Sequence, residues 1–486
     1  MYDIAIIGAG ISGSAIAREL SRYDLNTVIL ERGSEVCQGT TKANSAIVHG
    51  GYDAPPNSLK AKLNVRGNEM YEDLCRELNV EYKNIGSLVI GFNEDDKNHI
   101  QELYDRGIKN NVKGLKILSK DEILSIEPNI NKNVTSALLC SSAGIVCPFN
   151  LNVALVENAV VNGVKLKLNA QVINIEKKED RFEVKLSSNE IIKSKMIINA
   201  AGVYADKINN MIGGNEYYII PRKGEYKILD KTEGKKANHV IFRCPTSKGK
   251  GVLVTQTVHG NLLVGPNATV VDNKEDTSTT VKGMNEITIE AKDSIEDIDF
   301  SKTITSFAGL RATSNTHDFM IFESSKCSKF INVGGIESPG LASAPGIAEY
   351  VLNIVRKSGM KLEKKEDFNP IREKIKPFSQ MSREEQMKII EKDSRHKKII
   401  CRCESITEGE IVDAINRPCG ARTVDGIKRR VRPGMGRCQG GFCGPKVIEI
   451  IARELNMDIQ DVLKDYSNSN MVIGKVKELR GETVEI

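Results

Sequence analysis

The sequence predicts an α/β protein of more than one domain. Three observations carry this. The chain is 486 residues long, more than a single hydrophobic core ordinarily spans. Its first third alternates strand-like and helix-like patterns, an order that builds a parallel sheet. Near the C-terminus a charged stretch gives way to a compact segment bearing two tight pairs of cysteines.

The opening elements follow from hydrophobic periodicity. Residues 2–7 form an apolar strand, 11–23 a helix and 26–30 a second strand. Residues 59–79 and 95–110 read as longer helices. Segments 164–169, 172–176, 182–186 and 196–200 are strand-like, separated by charged turns such as 177–181. Residues 217–312 are rich in short strands, among them 252–257 and 262–264, with a polar loop at 272–280. A buried strand at 330–334 and a helix at 344–356 close the first domain near Lys361. Residues 362–398 are dense in Lys, Glu and Arg and read as a charged linker, part of it helical. The cysteine-bearing segment spans 399–456, and 457–486 is a tail.

Composition excludes several classes. Hydrophobic residues make up 40% and charged residues 27%, the balance of an ordinary soluble protein. A net charge of +5 is too small for a nucleic-acid footprint. No apolar run approaches the roughly 20 residues of a membrane span. No charged region and apolar core precede the first strand, so a cytoplasmic protein is expected, touching a membrane through a partner if at all. Eleven cysteines, an odd number without a leader segment, argue against a disulfide framework. Seven stand singly and are expected to be plain or buried thiols.

Gly8-Ala9-Gly10-Ile11-Ser12-Gly13 has the spacing G-x-G-x-x-G directly between the first strand and the first helix. Gly8 permits the tight turn, Gly10 lets backbone approach a pyrophosphate, and Gly13 lets helix and strand close up. The helix start then offers N–H groups to the anion, with Ser12 among them. Glu31 closes the second strand roughly 20 residues on, where a carboxylate can accept ribose hydroxyls. Three further segments favour FAD over NAD. A long loop, 33–48, precedes His49-Gly50-Gly51-Tyr52. Asn199-Ala200-Ala201-Gly202 and Asn332-Val333-Gly334-Gly335 each close a strand, and a helix follows the second, placing its positive end where a flavin ring would carry charge.

These stretches, with Asn44-Ser45-Ala46-Ile47-Val48-His49-Gly50-Gly51-Tyr52, Asn57-Ser58-Leu59-Lys60-Ala61-Lys62, Pro221-Arg222-Lys223-Gly224-Glu225-Tyr226, Gly309-Leu310-Arg311 and Gly335-Ile336-Glu337-Ser338-Pro339-Gly340-Leu341, resemble the D-amino-acid oxidase superfamily. Within it the first 360 residues look most like FAD-dependent glycerol-3-phosphate dehydrogenases and L-2-hydroxyglutarate dehydrogenases. The resemblance implies a Rossmann-like FAD-binding domain, residues about 1–80, 145–215 and 325–361, with a mainly antiparallel substrate part at about 81–144 and 216–324. It implies flavin contacts from Gly8, Gly10, Ser12, Gly13, Glu31, Arg32, Thr40, Ser45, Val172, Ala201, Gly202, Gly335, Gly340 and Leu341.

Oxidising a 2-hydroxyl needs a base for the O–H proton and a partner for the substrate's negative charge. His49 is the candidate base, because imidazole titrates near working pH and the matching motif places it near the flavin. Arg311 is the candidate anion holder, since a guanidinium grips phosphate or carboxylate with two parallel hydrogen bonds. Arg222 and Lys223 are weaker candidates. Ser45 and Ser338 are candidate hydrogen-bonding groups for substrate. His99, His239, His259, His317 and His396 lack partner spacing and read as structural.

Cys401-Arg402-Cys403 and Cys438-Gln439-Gly440-Gly441-Phe442-Cys443 present four thiolates from two loops, a set that suits zinc or an iron–sulfur cluster. With Gly434–Arg437 and Gly441–Pro445 beside them, they resemble the bacterioferritin-associated ferredoxin domain, which implies a 2Fe–2S cluster on Cys401, Cys403, Cys438 and Cys443 in a small helical domain. Cys419 reads as structural. Lys428-Arg429-Arg430 and Arg432 form a basic run that reads as a solvated loop or as a docking patch for an acidic partner.

A flavin takes two electrons and a 2Fe–2S cluster passes one at a time. The expectation is a dehydrogenase that oxidises a small anionic substrate, glycerol 3-phosphate first. Electrons leave through the cluster to an electron-accepting protein subunit. The alternatives are an L-2-hydroxyglutarate dehydrogenase, an amine or imino-acid dehydrogenase, or a non-catalytic electron-transfer subunit.

Overall fold

A computed structural model describes residues 1–245, 251–373 and 375–474. The chain divides into two compact units. The first takes Met1–Glu31 and Cys37–Glu373; the second takes Arg32–Val36 and the chain beyond Glu373.

The first unit opens as the periodicity predicts. β1 (Tyr2–Ile7) and β2 (Thr27–Leu30) pair in parallel, with α1 (Ile11–Leu20) crossing between them. Strand Ile191–Asn199 flanks β1 and Lys165–Lys167 flanks β2, both in parallel. Phe330–Gly334 continues the parallel run from the C-terminal end of Ile191–Asn199. The hairpin Val172–Lys177 and Phe182–Leu186 adds antiparallel to the other end of that strand. Ile4, Ala5, Ile6 and Leu30 are all buried, apolar on both faces as a sheet covered by helices requires. α1 packs against the helices Pro148–Val161 and Gly340–Lys357. α2 (Leu59–Glu77) runs along the second of these. The N-terminus of α2 is capped by the Asp318 carboxylate, which accepts from the Leu59 and Lys60 N–H groups at 2.9 and 3.0 Å.

Among the described residues the second sheet of this unit has nine strands and is antiparallel except where Val240–Arg243 pairs with Ser87–Gly91. Its longest pair is Ile219–Leu229 with Thr303–Ser314, with Arg222 opposite Arg311, Gly224 opposite Gly309 and Tyr226 opposite Phe307. A helix, Val281–Ser294, interrupts the region read as strands and loops. Its β-branched and glycine content weakens the helical signal. It forms because Thr280 caps it, accepting from Gly283 N–H at 3.0 Å, and because Ile287 and Ala291 are buried against Leu229, Val254 and Leu262.

The predicted boundary at Lys361 and the linker after it both shift. Residues up to Glu373 belong to the first unit. The side-chain amides of Asn158 and Asn162 hold the Asn369 carbonyl, and Arg372 pairs with the buried Glu157 at 2.5 Å. Charge density there signals ion pairs rather than a solvated tether. The rest of the stretch joins the second unit. It contains the expected charged helix, Arg383–Lys392, started by a Ser382/Glu385 capping box.

The second unit is small and helical. A hairpin, Ile399–Cys401 and Ile406–Thr407, leads into the helices Glu408–Asn416, Val424–Val431 and Gly444–Leu455. Ile411, Ile415, Ile427, Val447 and Ile451 form its core. Part of the predicted tail is folded into it: Val462 is buried, and Asp465 pairs with Arg429 at 2.7 Å. Residues 475–486 of that tail lie outside the described residues. The segment Arg32–Val36 is built into this unit through Glu35, which is fully buried. Its carboxylate accepts from the Arg422 and Thr423 N–H groups and pairs with Arg430 at 2.9 Å.

Candidate active site and cluster centre

The nucleotide cradle forms where β1 meets α1. Gly8 has φ +105, and a Cβ there would lie 2.5 Å from the Ala200 carbonyl oxygen. A Cβ on Gly13 would lie 2.1 Å from the Gly8 carbonyl oxygen, so both positions need glycine. Beside Gly10, a Cβ would meet Thr41 Oγ1 alone within contact range, at 3.3 Å, so the space before the helix start is open. Ile11 N–H donates to Thr41 Oγ1 at 3.0 Å. Glu31 accepts from Ala9 N–H at 2.8 Å, which fixes its carboxylate at the rim of the turn. Across the sheet, Gly202 has φ +58 and open space around it. A cradle of open backbone at a helix start, with a carboxylate at its edge, fits a dinucleotide.

The other proposed flavin residues have differing structural commitments. Val172 is buried at the start of its strand. Gly335 takes φ +67 just after Phe330–Gly334. Gly340 and Leu341 open the long helix, where the Leu341 carbonyl accepts from the Tyr71 hydroxyl. The Thr40 hydroxyl donates to the Leu310 carbonyl at 2.6 Å, bracing the loop on the second sheet. Arg32, next to Glu31, is exposed and groups with the second unit.

The candidate substrate residues Arg222 and Arg311 lie on the strand pair Ile219–Leu229 and Thr303–Ser314. Opposed residues of an antiparallel pair share a face, so Arg222, Arg311, Gly224, Gly309, Tyr226 and Phe307 lie together. Tyr226 stacks on Phe307 at 4.6 Å, with the planes 9° apart. The loop before Ser45 crosses this face at Gly309, where a Cβ would lie 2.0 Å from the Ala43 carbonyl oxygen. Ser45 Oγ then sits 3.5 Å from the Tyr226 hydroxyl. Arg311 Nη2 donates to the Asn267 carbonyl at 3.3 Å, while Arg311 Nη1 is buried with no hydrogen-bond partner. A buried guanidinium N–H without an acceptor is costly, and an anion would satisfy it. His49 follows the strand Ile47–Val48. Its ring lies 5.6 Å from that of Phe242, and its carbonyl accepts from Asn64 at 2.6 Å and Asn68 at 3.2 Å, both on α2.

Two candidates fare differently. Lys223 is one residue from Arg222 and so faces the other way. Its buried ammonium pairs with Asp276 at 2.7 Å, and that hydrogen bond holds the Asp276 carboxyl down to about 2. Ser338 lies on an exposed turn. Beside it Glu337 is tied to Lys60 at 2.5 Å and to the Thr313 hydroxyl at 2.5 Å. The pair Lys60–Glu337, the Tyr226 phenol and the clamps Asn64 and Asn68 were not singled out from the sequence. Lys60 and Asn64 sit at the start of a helix whose pattern gives no hint of what it touches.

The four cysteines come together in two pairs. Cys403 Sγ and Cys438 Sγ are 3.7 Å apart, and the Cys401 and Cys443 thiols are hydrogen-bonded to each other. Cys401 and Cys443 are buried, Cys403 is exposed and Cys438 half-buried. The Cys401 thiol is lowered to about 6, first by Cys443 and then by the N–H groups of Gly434, Glu404 and Cys403. Cys438 is lowered by the N–H groups of Phe442 and Gly440. Among the described residues no group of three or more His, Cys, Asp or Glu side chains surrounds a single ion position. Four cysteines gathered from two loops, with backbone N–H groups turned toward Cys401 and Cys438, fit a binuclear cluster. Cys419 and the other single cysteines are buried.

The basic run is neither a solvated loop nor a docking patch. Arg429 pairs with Asp465, Arg430 with Glu35 and Arg432 with Glu404, at 2.7, 2.9 and 3.0 Å, all largely buried. Burial also pushes the Lys428 ammonium down. Sequence spacing could not show Glu35 reaching Arg430 from 395 positions away.

A flavin fold joined to a cluster fold defines an oxidoreductase with two redox centres. The chain belongs to the FAD dependent oxidoreductase family, whose model matches residues 3–354; the BFD-like [2Fe-2S] binding domain matches residues 399–453. FAD and a 2Fe–2S cluster are its cofactors. The chain is 51% identical to a glycerol 3-phosphate dehydrogenase of Caloramator mitchellensis, over 98% of this chain and 99% of that protein. It is 35% identical to a glycerol 3-phosphate oxidase of Mycoplasma genitalium, over 76% of this chain and 97% of that one. The solved structure of dithionite-reduced L-alpha-glycerophosphate oxidase from Mycoplasma pneumoniae with FAD bound superposes with a TM-score of 0.74 at 30% identity. That match covers 77% of this chain and 99% of the other.

Proposed function

We propose that the protein is an FAD-dependent dehydrogenase that oxidises sn-glycerol 3-phosphate to dihydroxyacetone phosphate and passes the electrons through its 2Fe–2S cluster to a protein acceptor. The observation that carries the substrate is Arg311. Its buried, unpartnered Nη1 belongs to a residue that shares a sheet face with Arg222 and with Tyr226, which Ser45 meets. A phosphate there would receive the guanidinium's second donor, and Arg222 would add charge from the neighbouring strand.

Bound FAD supplies the two-electron oxidant that accepts the hydride from C2. His49 takes the C2 hydroxyl proton on its ring nitrogen. The Asn64 and Asn68 amides fix the His49 backbone and so its reach. Ser45 and Tyr226 hydrogen-bond the substrate's hydroxyl end, with Ser338 on the adjoining turn. Lys223 acts at a distance, its pair with Asp276 holding the strand that carries Arg222. Gly8, Gly10, Ser12 and Gly13 cradle the pyrophosphate, and Glu31 takes the ribose.

Glycerol 3-phosphate is favoured over L-2-hydroxyglutarate and over a non-catalytic role by the likeness to glycerol 3-phosphate enzymes at 51% and 35% identity. Among the described residues no helix is long and apolar enough to cross a membrane. We place the enzyme in the cytoplasm, meeting its acceptor as a separate subunit. Anaerobic rates with each substrate test the assignment. Flavin bleaching by glycerol 3-phosphate at least tenfold faster than by L-2-hydroxyglutarate is expected; the reverse order would replace the substrate and leave the fold and base intact.

A further inference from the structure

With Arg429, Arg430 and Arg432 consumed in internal ion pairs, the question is which surface an acceptor would meet. The cluster's exposed edge answers it. Cys403 is exposed and Cys438 half-exposed, whereas Cys401 and Cys443 are buried, so electrons leave over the Cys403–Cys438 side. Phe442 stands on this loop, one residue before Cys443, and is 85% exposed, the most exposed large apolar side chain among the described residues. Arg402, between Cys401 and Cys403, is exposed, as is Lys446 at the start of the helix Gly444–Leu455. The ligand loop 433–446 contains no Asp or Glu. The carboxylate of the other loop, Glu404, is neutralised by Arg432.

An exposed aromatic costs hydration free energy, and solvent alone gives no reason to keep one there. An exposed ring on a cluster loop that carries exposed cations and no carboxylate is the arrangement of an interface anchor with an electrostatic rim. Resting on the electron-transfer reading above, we infer that Phe442, flanked by Arg402 and Lys446, is the docking surface for an acidic one-electron acceptor protein. The ring anchors the complex by entering an apolar notch in that partner, and the two cations draw its carboxylates to the cluster's open edge. Each encounter reduces one acceptor by one electron, so two acceptors are reduced for each two-electron substrate oxidation.

The full-length enzyme, loaded with both cofactors and photoreduced without oxygen, is mixed with cytochrome b5, an acidic one-electron acceptor, or with cytochrome c, a basic one. Haem reduction is followed by stopped flow. Cytochrome b5 is expected to react faster, with a rate that falls as salt rises. F442A and the pair R402E/K446E should each slow it roughly tenfold or more. In the same variants the visible spectrum of flavin and cluster, and the bleaching of flavin by glycerol 3-phosphate, should be unchanged. Faster reaction with cytochrome c, or unaltered cytochrome b5 rates in both variants, would overturn the surface. If glycerol 3-phosphate fails to bleach the flavin while the photoreduced enzyme keeps its preference for cytochrome b5, the substrate assignment falls and the docking surface stands.

Discussion

At Arg311, chemistry and geometry agree on a job that no neighbouring carboxylate performs. Replacing it by Gln removes both the charge and the fork. The expected loss in kcat/KM for glycerol 3-phosphate is roughly 10²–10³-fold, the scale of a buried charge pair broken on one side, with FAD still bound. R311K keeps the charge and should recover only part of it. H49N should lower kcat by about 10²–10⁴-fold while leaving KM nearly unchanged, because general-base assistance is made in the transition state. K223M should instead alter thermal stability more than KM, since that ammonium faces Asp276; a large KM effect would return Lys223 to the substrate site. The sequence marked Arg311 and His49 because motif context is local. It could not separate Lys223 from Arg222, because a one-residue step in a strand reverses the face and motif text does not say which face is which.

Among elements, the Gly-rich turn and the cysteine loops were legible, and the junctions were not. The turn was readable because its glycines, helix start and Glu31 lie within one β–α–β unit. The helix Val281–Ser294 was missed because burial of Ile287 and Ala291, not propensity, stabilises it. The five residues Arg32–Val36 looked like ordinary loop, yet Glu35 satisfies the N-terminus of the helix Val424–Val431 and pairs with Arg430. Removing one partner of a buried pair costs about 3–5 kcal/mol. E35Q should therefore lower the temperature at which the cluster's visible absorbance is lost, measured on the full chain, while flavin release is little changed. An unshifted cluster transition would mean the pair contributes no net stability. C401S should abolish the cluster spectrum yet leave flavin bleaching by substrate intact, because the two centres are built from separate sets of residues.

The molecule as a whole joins a two-electron centre to a one-electron centre in one chain. Its overall plan was legible from the sequence because each part carries its own local signature, glycines in one and cysteines in the other. The fate of the charges was not, because pairs such as Glu35–Arg430 and Glu157–Arg372 join residues hundreds of positions apart. The central claim is that substrate electrons reach the cluster through the flavin. An anaerobic titration of the enzyme with glycerol 3-phosphate, followed by visible absorbance and low-temperature EPR, tests it directly. A flavin taking two electrons and a cluster taking one predict full reduction at about 1.5 equivalents of substrate per chain, with the EPR signal of a reduced 2Fe–2S cluster growing in. Bleaching that stops at about one equivalent with no cluster signal would show the two centres to be unconnected; no bleaching at all would contradict the assigned substrate.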